Sequence, residues 1–360
     1  MKPQQFIGIA KRLSRTLTPY FQSGRRPVKK SIPTIYLDFQ DHSVFCRYHV
    51  SLAVAFSLLP ANVVWRFRPR YFVRNRDFLD PYWWGQRFFR FSFSSSLPVS
   101  TGQMPLLAVV TDSPVQYQLV TRSRVISVVA GEKDTLLRSG DHEWPFLGFP
   151  TFLLRQLDLQ NLSTAGTAVE NRNRRVCFVG NCDPLHYSDT SHGLLSRAAA
   201  KRTIQEAFHA ESLLVETWDD KRHLQNLPAL PIVICNSFKA GLEFDEYQRL
   251  LRDSHFFLAF PGISSPYTHS LYECLSCGCV PILPESNLTK AGWVHLENCV
   301  VYKDRTSLID AVHFALNAKA TVLESLRASA EYQFRQQYSV ASAAARLLSS
   351  DCRRLVLRSV

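Results

Sequence analysis

The chain has 360 residues, of which 42 are lysine or arginine and 30 are aspartate or glutamate, so its formal net charge is +12. This length allows two domains of about 150 residues each, and an apolar fraction of 46% is ordinary for a globular protein. The longest apolar stretch, residues 43–59, is interrupted by Arg47 and His49 and is too short for a membrane span. The positive charge favours an anionic partner without choosing among nucleotides, phosphate-rich substrates, membranes and nucleic acid.

The nine cysteines argue against a disulfide framework, because their number is odd and most of them lie in apolar runs. They are typical of buried, reduced thiols in a cytoplasmic protein. Cys274, Cys277 and Cys279 are close in sequence, but no second Cys/His pair follows at zinc-finger spacing. The sequence therefore predicts no metal site, since a structural zinc needs four convergent ligands.

Residues 1–31 are rich in lysine and arginine and contain no long apolar run. They predict a flexible basic arm rather than a secretory signal. A solvated tail is the simpler interpretation of this arm. The alternative is a weak attachment to the inner face of a membrane, because basic segments bind anionic lipid surfaces.

An N-terminal domain is predicted over residues 32–160. A strand over 35–39, a helix over 43–59 and a strand over 63–67 form the β-α-β opening of an α/β domain. Further strands are predicted over 106–110 and 125–129. Residues 68–104 interleave arginines with aromatic side chains, but no nucleic-acid-binding motif accompanies them, so core or acceptor-groove packing is favoured over nucleic acid.

A polar segment without periodicity, residues 161–175, predicts a linker. A second α/β domain then follows over 176–332, and it begins with a strand that ends at Gly180-Asn181. Its later predicted elements are a helix over 193–210, strands over 213–217 and 232–235, and a helix over 244–252. The last segment, 333–360, predicts a C-terminal helix that crosses back to the first domain.

The clearest pattern in the second domain is a strand–loop–helix–strand unit. Residues 256–260 are an apolar, aromatic strand that Pro261 and Gly262 end. Ser264 or Ser265 is a candidate helix cap, with Pro266 at the first helical position. The helix is predicted to reach about Cys277, with Gly278 as a left-handed terminator and a strand over 280–283.

Ligands of open α/β sheets bind beyond the carboxyl ends of the strands, where the loop over 261–265 lies. The backbone N–H groups of this loop and the helix behind it suit a phosphate. On the predicted helix, Leu271, Cys274 and Leu275 face the sheet, whereas His269 and Glu273 fall on the opposite side. Glu273 could accept hydrogen bonds from a ribose diol, and a solvated glutamate on an exposed face is the simpler alternative.

This segment resembles the nucleotide-binding half of glycosyltransferases with the GT-B fold, most closely the exostosin-like family. The family pattern is a Ser-x-Phe-x-Leu strand, a Pro/Gly loop, Arg-x-x-Glu-Ala and Gly-Cys-x-Pro-Val. The matching segments here are Ser254-His-Phe-Phe-Leu, Pro261-Gly262, Leu271-Tyr-Glu273-Cys and Gly278-Cys-Val-Pro281-Ile. The resemblance covers about residues 232–315. The family arginine is replaced by Ser270, next to His269, and Pro266 replaces a position that is acidic in many retaining enzymes.

The resemblance implies two Rossmann-like domains that face each other across a cleft, and transfer of a sugar from a nucleotide sugar, most often a UDP-sugar, to a glycan or lipid-linked hydroxyl. It also implies an inverting reaction without an essential metal or cofactor. The implied donor-binding residues are Gly180, Asn181, Lys239, Gly262, Ser264, Ser265, His269 and Glu273, with Arg252 as a further cation.

An inverting reaction needs one general base near the acceptor hydroxyl. Asp41 and His42, which follow the first predicted strand, are the best candidates, and Asp112 and Glu132 are rivals. Taken singly, each is more often a turn or cap residue. Two other functions stay open: a non-catalytic carbohydrate-binding or scaffold protein, favoured by Ser270, and a basic nucleic-acid-binding protein, favoured by the net charge.

Overall fold

A computed structural model describes two compact units, the first formed by residues 1–157 and 340–359 and the second by residues 158–339 and 360. The described residues are 32–40, 46–57, 59–66, 68, 71, 90–92, 106–112, 124–131, 141–143, 172–189, 193–224, 230–262, 268–286, 292–339, 342, 344–346 and 352–358. Within them, no helix has the length and apolar character that a membrane crossing requires.

The first unit contains a seven-stranded sheet in which every described pair of strands is parallel. Its elements are β1 (Thr34–Asp38), α1 (Cys46–Ser57), β2 (Asn62–Arg66), β3 (Arg90–Ser92), β4 (Leu106–Thr111), β5 (Arg124–Gly131), β6 (Asp141–Glu143) and β13 (Arg354–Arg358). The order across the sheet is β3-β2-β1-β4-β5-β13-β6. Strand β1 is buried along its whole length, as a central parallel strand is when both faces of the sheet are covered.

The second unit contains a six-stranded parallel sheet in the order β12-β11-β10-β7-β9-β8. Its strands are β7 (Arg174–Gly180), β8 (Ser212–Val215), β9 (Ile232–Asn236), β10 (Ser254–Leu258), β11 (Val280–Pro284) and β12 (Val300–Tyr302). Its helices are α2 (Pro184–Tyr187), α3 (Arg197–Ala207), α4 (Trp218–Leu224), α5 (Phe244–Arg252), α6 (His269–Ser276), α7 (Arg305–Asn317) and α8 (Ala320–Gln333), followed by a π-helical turn, Phe334–Tyr338. The predicted α/β class with two parallel-sheet domains is confirmed.

The core of the second unit lies between the sheet and helices α3, α7 and α8. Phe178, Phe256 and Ile282 from three strands meet Ile204 of α3 and Leu308 of α7, and all five side chains are buried. Burial of aliphatic and aromatic side chains on this scale stabilises each by about 1.5–3 kcal/mol relative to exposure. This layer fixes the sheet, and the loops at its carboxyl edge are anchored on it.

Several local predictions hold because their signals are short-range. Helix α5 has the predicted bounds, and the Glu246 carboxylate accepts the Glu243 amide at 2.9 Å at its start. Gly278 ends α6 with φ of +74°, and a Cβ there would lie 3.0 Å from Arg172 Nη2. Both the left-handed backbone and the close guanidinium favour glycine at this position.

The predicted start of α6 is wrong. The helix begins at His269 and its cap position is Thr268, which has extended φ and ψ of −108° and 167°. The predicted caps, Ser264 and Ser265, and the predicted first residue, Pro266, precede this start and lie outside the described residues. The Thr268 hydroxyl lies 2.6 Å from that of Ser270, so this turn is stabilised by side-chain hydrogen bonding within itself.

Two boundaries also differ from the prediction. Strand β7 begins at Arg174, and the buried Arg172 donates hydrogen bonds to the carbonyls of Ser254 and Cys277, so the end of the predicted linker belongs to the second unit. The segment Arg354–Arg358 is strand β13 rather than helix, and it pairs with β5 and β6. Leu355 and Val356 are buried in that sheet, which favours the extended form over a helix.

Candidate functional site

The second sheet reverses its direction of strand addition between β7 and β10. From β7 the chain continues to β8 and β9 on one side, and then crosses to β10 on the other. At such a point the loops after the two strands diverge and leave a crevice, where open α/β sheets bind ligands. The loops here begin with Gly180-Asn181 and with Pro261-Gly262, so the structure brings these two predicted segments to the same edge.

Arg197, the first residue of α3, joins the two loops. Its Nη1 donates to the Asn181 carbonyl at 2.6 Å and its Nε to the Pro261 carbonyl at 3.3 Å. The guanidinium lies 4.2 Å from the Tyr187 ring centroid, and the side chain is only 6% exposed. Burial lowers the pKa of Arg197, but a guanidinium stays protonated at neutral pH, so the crevice contains a fixed positive charge.

The turn after β9 lies beside this crevice. Ser237 donates its amide to the Gly180 carbonyl at 3.4 Å, and Lys239 Nζ lies 3.4 Å from Asp183 Oδ2. The Lys239 side chain is 45% exposed, so this ion pair is a surface pair of small energy. Lys239 is therefore near the predicted site, and part of its charge is offset by Asp183.

Helix α6 follows the β10 loop and carries His269 in its first turn and Glu273 one turn later. Glu273 is 2% exposed, so the alternative of a solvated surface glutamate is wrong. The hydroxyl of Tyr247, on α5, donates a hydrogen bond to Glu273 Oε2. Burial, and then the adjacent Glu273, raise the pKa of Tyr247, so this hydroxyl keeps its proton and acts as a donor.

Several predicted residues lie outside the described part of the chain: Asp41, His42, Glu132, Ser264 and Ser265. Arg252 is misplaced as a cation for this site. It ends α5 immediately before β10 begins at Ser254, whereas the site lies beyond the other end of that strand. A five-residue strand is roughly 15 Å long, which a side chain does not span.

The first unit also has a switch point, between β1 and β4. Asp38, the last residue of β1, is fully buried and lies 3.3 Å from Arg66 Nη1 and 2.5 Å from Arg68 Nε. The Asp112 carboxylate, after β4, accepts the Gln40 amide at 2.8 Å. Asp112 thus has the loop-stabilising contact that was the simpler interpretation of this predicted rival base.

Eight cysteines are free, buried thiols: Cys177, Cys182, Cys235, Cys274, Cys277, Cys279, Cys299 and Cys352. Burial raises the pKa of Cys274 and Cys277, the latter to about 12, so neither thiol ionises at neutral pH. Within the described segments no group of three or more His, Cys, Asp or Glu side chains is arranged to hold a metal ion.

Sequence reasoning missed Arg197 and Tyr247 as parts of this site. Arg197 follows the helix cap Ser196, whose hydroxyl accepts the Ala199 amide at 3.2 Å, and a basic residue in a first helical turn carries no functional signal by itself. The sequence predicts the helix that carries Tyr247 but gives no partner for its hydroxyl. Both roles depend on partners that are distant in sequence.

The fold and this edge define an α/β protein with two parallel sheets and, in the second, a crevice at the reversal of strand order. No protein-family model matches the chain, and no curated protein matches it in sequence. Similar solved structures include HepE from Anabaena in complex with UDP (10% identity, 88% of this chain and 98% of that chain covered, TM-score 0.46) and UDP-GlcNAc 2-epimerase from Neisseria meningitidis bound to UDP-GlcNAc (11%, 88%, 98%, 0.46). Sucrose-phosphate synthase from Thermosynechococcus elongatus is a third (9%, 87%, 97%, 0.43). These are distant similarities of backbone arrangement, and they assign no function to the chain.

Proposed function

We propose that the protein is a glycosyltransferase that moves a sugar from a nucleotide-sugar donor to a hydroxyl group of a glycan or lipid-linked acceptor. The observation that carries this proposal is the crevice between the loops after β7 and β10. There, one buried guanidinium joins Asn181 to Pro261, and a buried Glu273 follows on the next helix. A cation attracts a diphosphate and a carboxylate accepts hydrogen bonds from a ribose diol, so the two groups suit a nucleotide sugar.

The diphosphate would lie against the loops that begin with Gly180-Asn181 and Pro261-Gly262, near Arg197 and Lys239. As the glycosidic bond breaks, negative charge grows on the leaving diphosphate, and a preorganised cation stabilises it in the transition state. Ser270 occupies the position of the family arginine. In this proposal Arg197, on a different helix, supplies the guanidinium instead. Ser264, Ser265 and His269 stay proposed donor contacts, and His269 is in the first turn of α6.

We propose an inverting, metal-independent reaction. The leaving group has protein cations available, and an acceptor hydroxyl then needs one general base. Asp41 and His42 stay our candidates for that base, since they follow the end of β1. The same proposal includes two domains that enclose the reactants across a cleft. It also includes membership in the exostosin-like family and a weak attachment of the basic arm to a membrane surface.

Uridine diphosphate is the nucleotide to test first, since the HepE structure contains UDP and the family resemblance implies a UDP-sugar. We expect UDP to raise the melting temperature of the protein by mass action. Replacing Glu273 by Gln should weaken UDP binding by about tenfold or more, because hydrogen bonds to a charged acceptor are lost. Titration calorimetry measures the loss, and Glu297→Gln, at an exposed position, is the matched control.

Failure of every nucleoside diphosphate to stabilise the protein would contradict the proposal. Binding of UDP without hydrolysis or transfer of any UDP-sugar would instead favour the non-catalytic carbohydrate-binding alternative. The transfer assay therefore separates the two functions that Ser270 left open.

A further inference from the structure

Two helices of the second unit meet at the Glu273 carboxylate. Helix α5 lies before β10 and α6 after it, and the Tyr247 hydroxyl of α5 donates to Glu273 Oε2 across 26 residues of sequence. Glu273 is nearly inaccessible to solvent, and the Tyr247 side chain is partly buried. A buried carboxylate is destabilised unless donors satisfy it, so this hydrogen bond has an energetic consequence for the ionised acid.

The ring of Tyr247 also contributes to the packing of the second unit. It packs against a small apolar cluster that includes Val179, Val233 and Leu250. A phenylalanine would supply the same packing, since it differs from tyrosine only in the hydroxyl group. The hydroxyl therefore needs its own explanation, and its donor position on one carboxylate oxygen provides one.

We infer that Tyr247 is a positioning residue that fixes the Glu273 carboxylate for recognition of the donor ribose. This inference rests on the proposed function and names the residue that sets its ribose specificity. A carboxylate has two oxygens and about four acceptor sites. A phenol that donates to Oε2 orients the group, and the carboxylate oxygens are the acceptors for hydrogen bonds from a ribose diol.

The test compares affinities for UDP and 2′,3′-dideoxyuridine diphosphate, which lacks both ribose hydroxyls. Titration calorimetry gives the ratio of the two dissociation constants for wild type, Glu273→Gln, Tyr247→Phe and the double variant. We expect a ratio of about ten or more in wild type and below about three in Glu273→Gln, from the size of charge-assisted hydrogen bonds. Tyr247→Phe should lower the ratio at least threefold, and the double variant should match Glu273→Gln.

A merely structural tyrosine would weaken both ligands equally and leave the ratio unchanged, so an unchanged ratio in Tyr247→Phe would overturn the inference while the proposed function stands. A wild-type ratio near one would overturn the inference, because ribose would then not be recognised, whereas failure of both ligands to bind would contradict the proposed function. The ratio is independent of the folded fraction, since both ligands are measured on one sample. Tyr332→Phe, at an exposed position on α8, is the matched control and should keep the wild-type ratio.

Discussion

The two sheets end in opposite charges at their switch points. In the first unit, a buried carboxylate, Asp38, closes β1 and two arginines neutralise it. In the second unit, a buried guanidinium, Arg197, joins the two loops, and the partners described for it are backbone carbonyls, aromatic rings and the Tyr187 hydroxyl. At the reversal of strand order, one unit therefore has an acid paired with two arginines and the other has a cation without a described acidic partner.

This difference indicates that the edge of the second sheet suits an anion better than the edge of the first. Carbonyl dipoles orient a guanidinium but do not cancel its full charge, so a phosphate near Arg197 would gain a strong electrostatic interaction. One Asp38 carboxylate offsets only one of the two positive charges of Arg66 and Arg68, but it pairs with both guanidiniums, which makes them less available to a diphosphate than Arg197. A mostly parallel sheet with a switch point predicts that a ligand binds at its edge, whereas the buried side chains decide which ligand.

The largest effect should follow from Arg197→Leu. This change leaves the carbonyls of Asn181 and Pro261 without their donor and should lower the free energy of unfolding of the second unit by about 3 kcal/mol. It should also weaken UDP binding by about tenfold or more through loss of a cation. Denaturant titration and calorimetry measure the two losses. Arg202→Leu, exposed on the same helix, should stay within about 0.5 kcal/mol of wild type.

Unchanged UDP affinity in a folded Arg197→Leu protein would place the diphosphate elsewhere and remove the contrast between the two edges.

A second test removes the buried carboxylate of the first unit. Asp38→Asn removes the charge that Arg66 and Arg68 share and should destabilise the first unit by about 3 kcal/mol, as loss of one partner of a buried ion pair does. UDP affinity should not change, because the proposed donor site lies in the second unit. Denaturant titration reads the first effect and calorimetry the second, with the exposed Asp310→Asn as control. A loss of UDP affinity in Asp38→Asn would show that the first edge also contacts the donor.

The smallest effect concerns pH. His49 is stacked on Phe39 at 3.8 Å, with Nδ1 2.7 Å from the Tyr71 hydroxyl, and burial lowers the pKa of His49 to about 3. The unfolded chain binds this proton near pH 6.5 and the folded one does not, so stability present above pH 6.5 is lost as the pH falls. The loss approaches about 1.4 kcal/mol per pH unit, or about 2 kcal/mol between pH 6.5 and 5.

Unfolding of the first unit followed by denaturant titration at several pH values measures this slope. His49→Phe keeps an aromatic ring on Phe39. Its free energy of unfolding should depend less steeply on pH, by about 1.4 kcal/mol per pH unit. An equal slope in both proteins would mean that His49 titrates normally in the folded state.

Much of the second unit was predictable because its signals are local. Helix α5 has acidic residues in its first turn and basic ones in its last, which agree with the helix dipole, and its bounds match the prediction. The left-handed conformation of Gly278 was predicted from its residue type, and strand β11 was predicted from an apolar run. The start of α6 was wrong, because Ser264, Ser265 and Pro266 are good local caps and nothing in their own types signals that Thr268 occupies the cap.

The contacts that build the site were not predictable in the same way. Arg197 reaches carbonyls 16 and 64 residues away, and Tyr247 reaches Glu273 across 26. Strand β13 is a short apolar segment whose extended form depends on β5 and β6, which lie far earlier in the chain. The type of a residue does not indicate which distant backbone carbonyl or sheet edge it will contact.

The sequence by itself determined the two-domain α/β class, the position of most strands and the loop at which a ligand is expected, because hydrophobic period, glycine and proline act within a few residues. Only the tertiary structure decided that Glu273 is buried, that the Tyr247 hydroxyl donates to it and that Arg197 joins the loops after β7 and β10. Those facts depend on which loops the parallel sheet brings together, and strand order is set by packing of the whole unit rather than by any one segment.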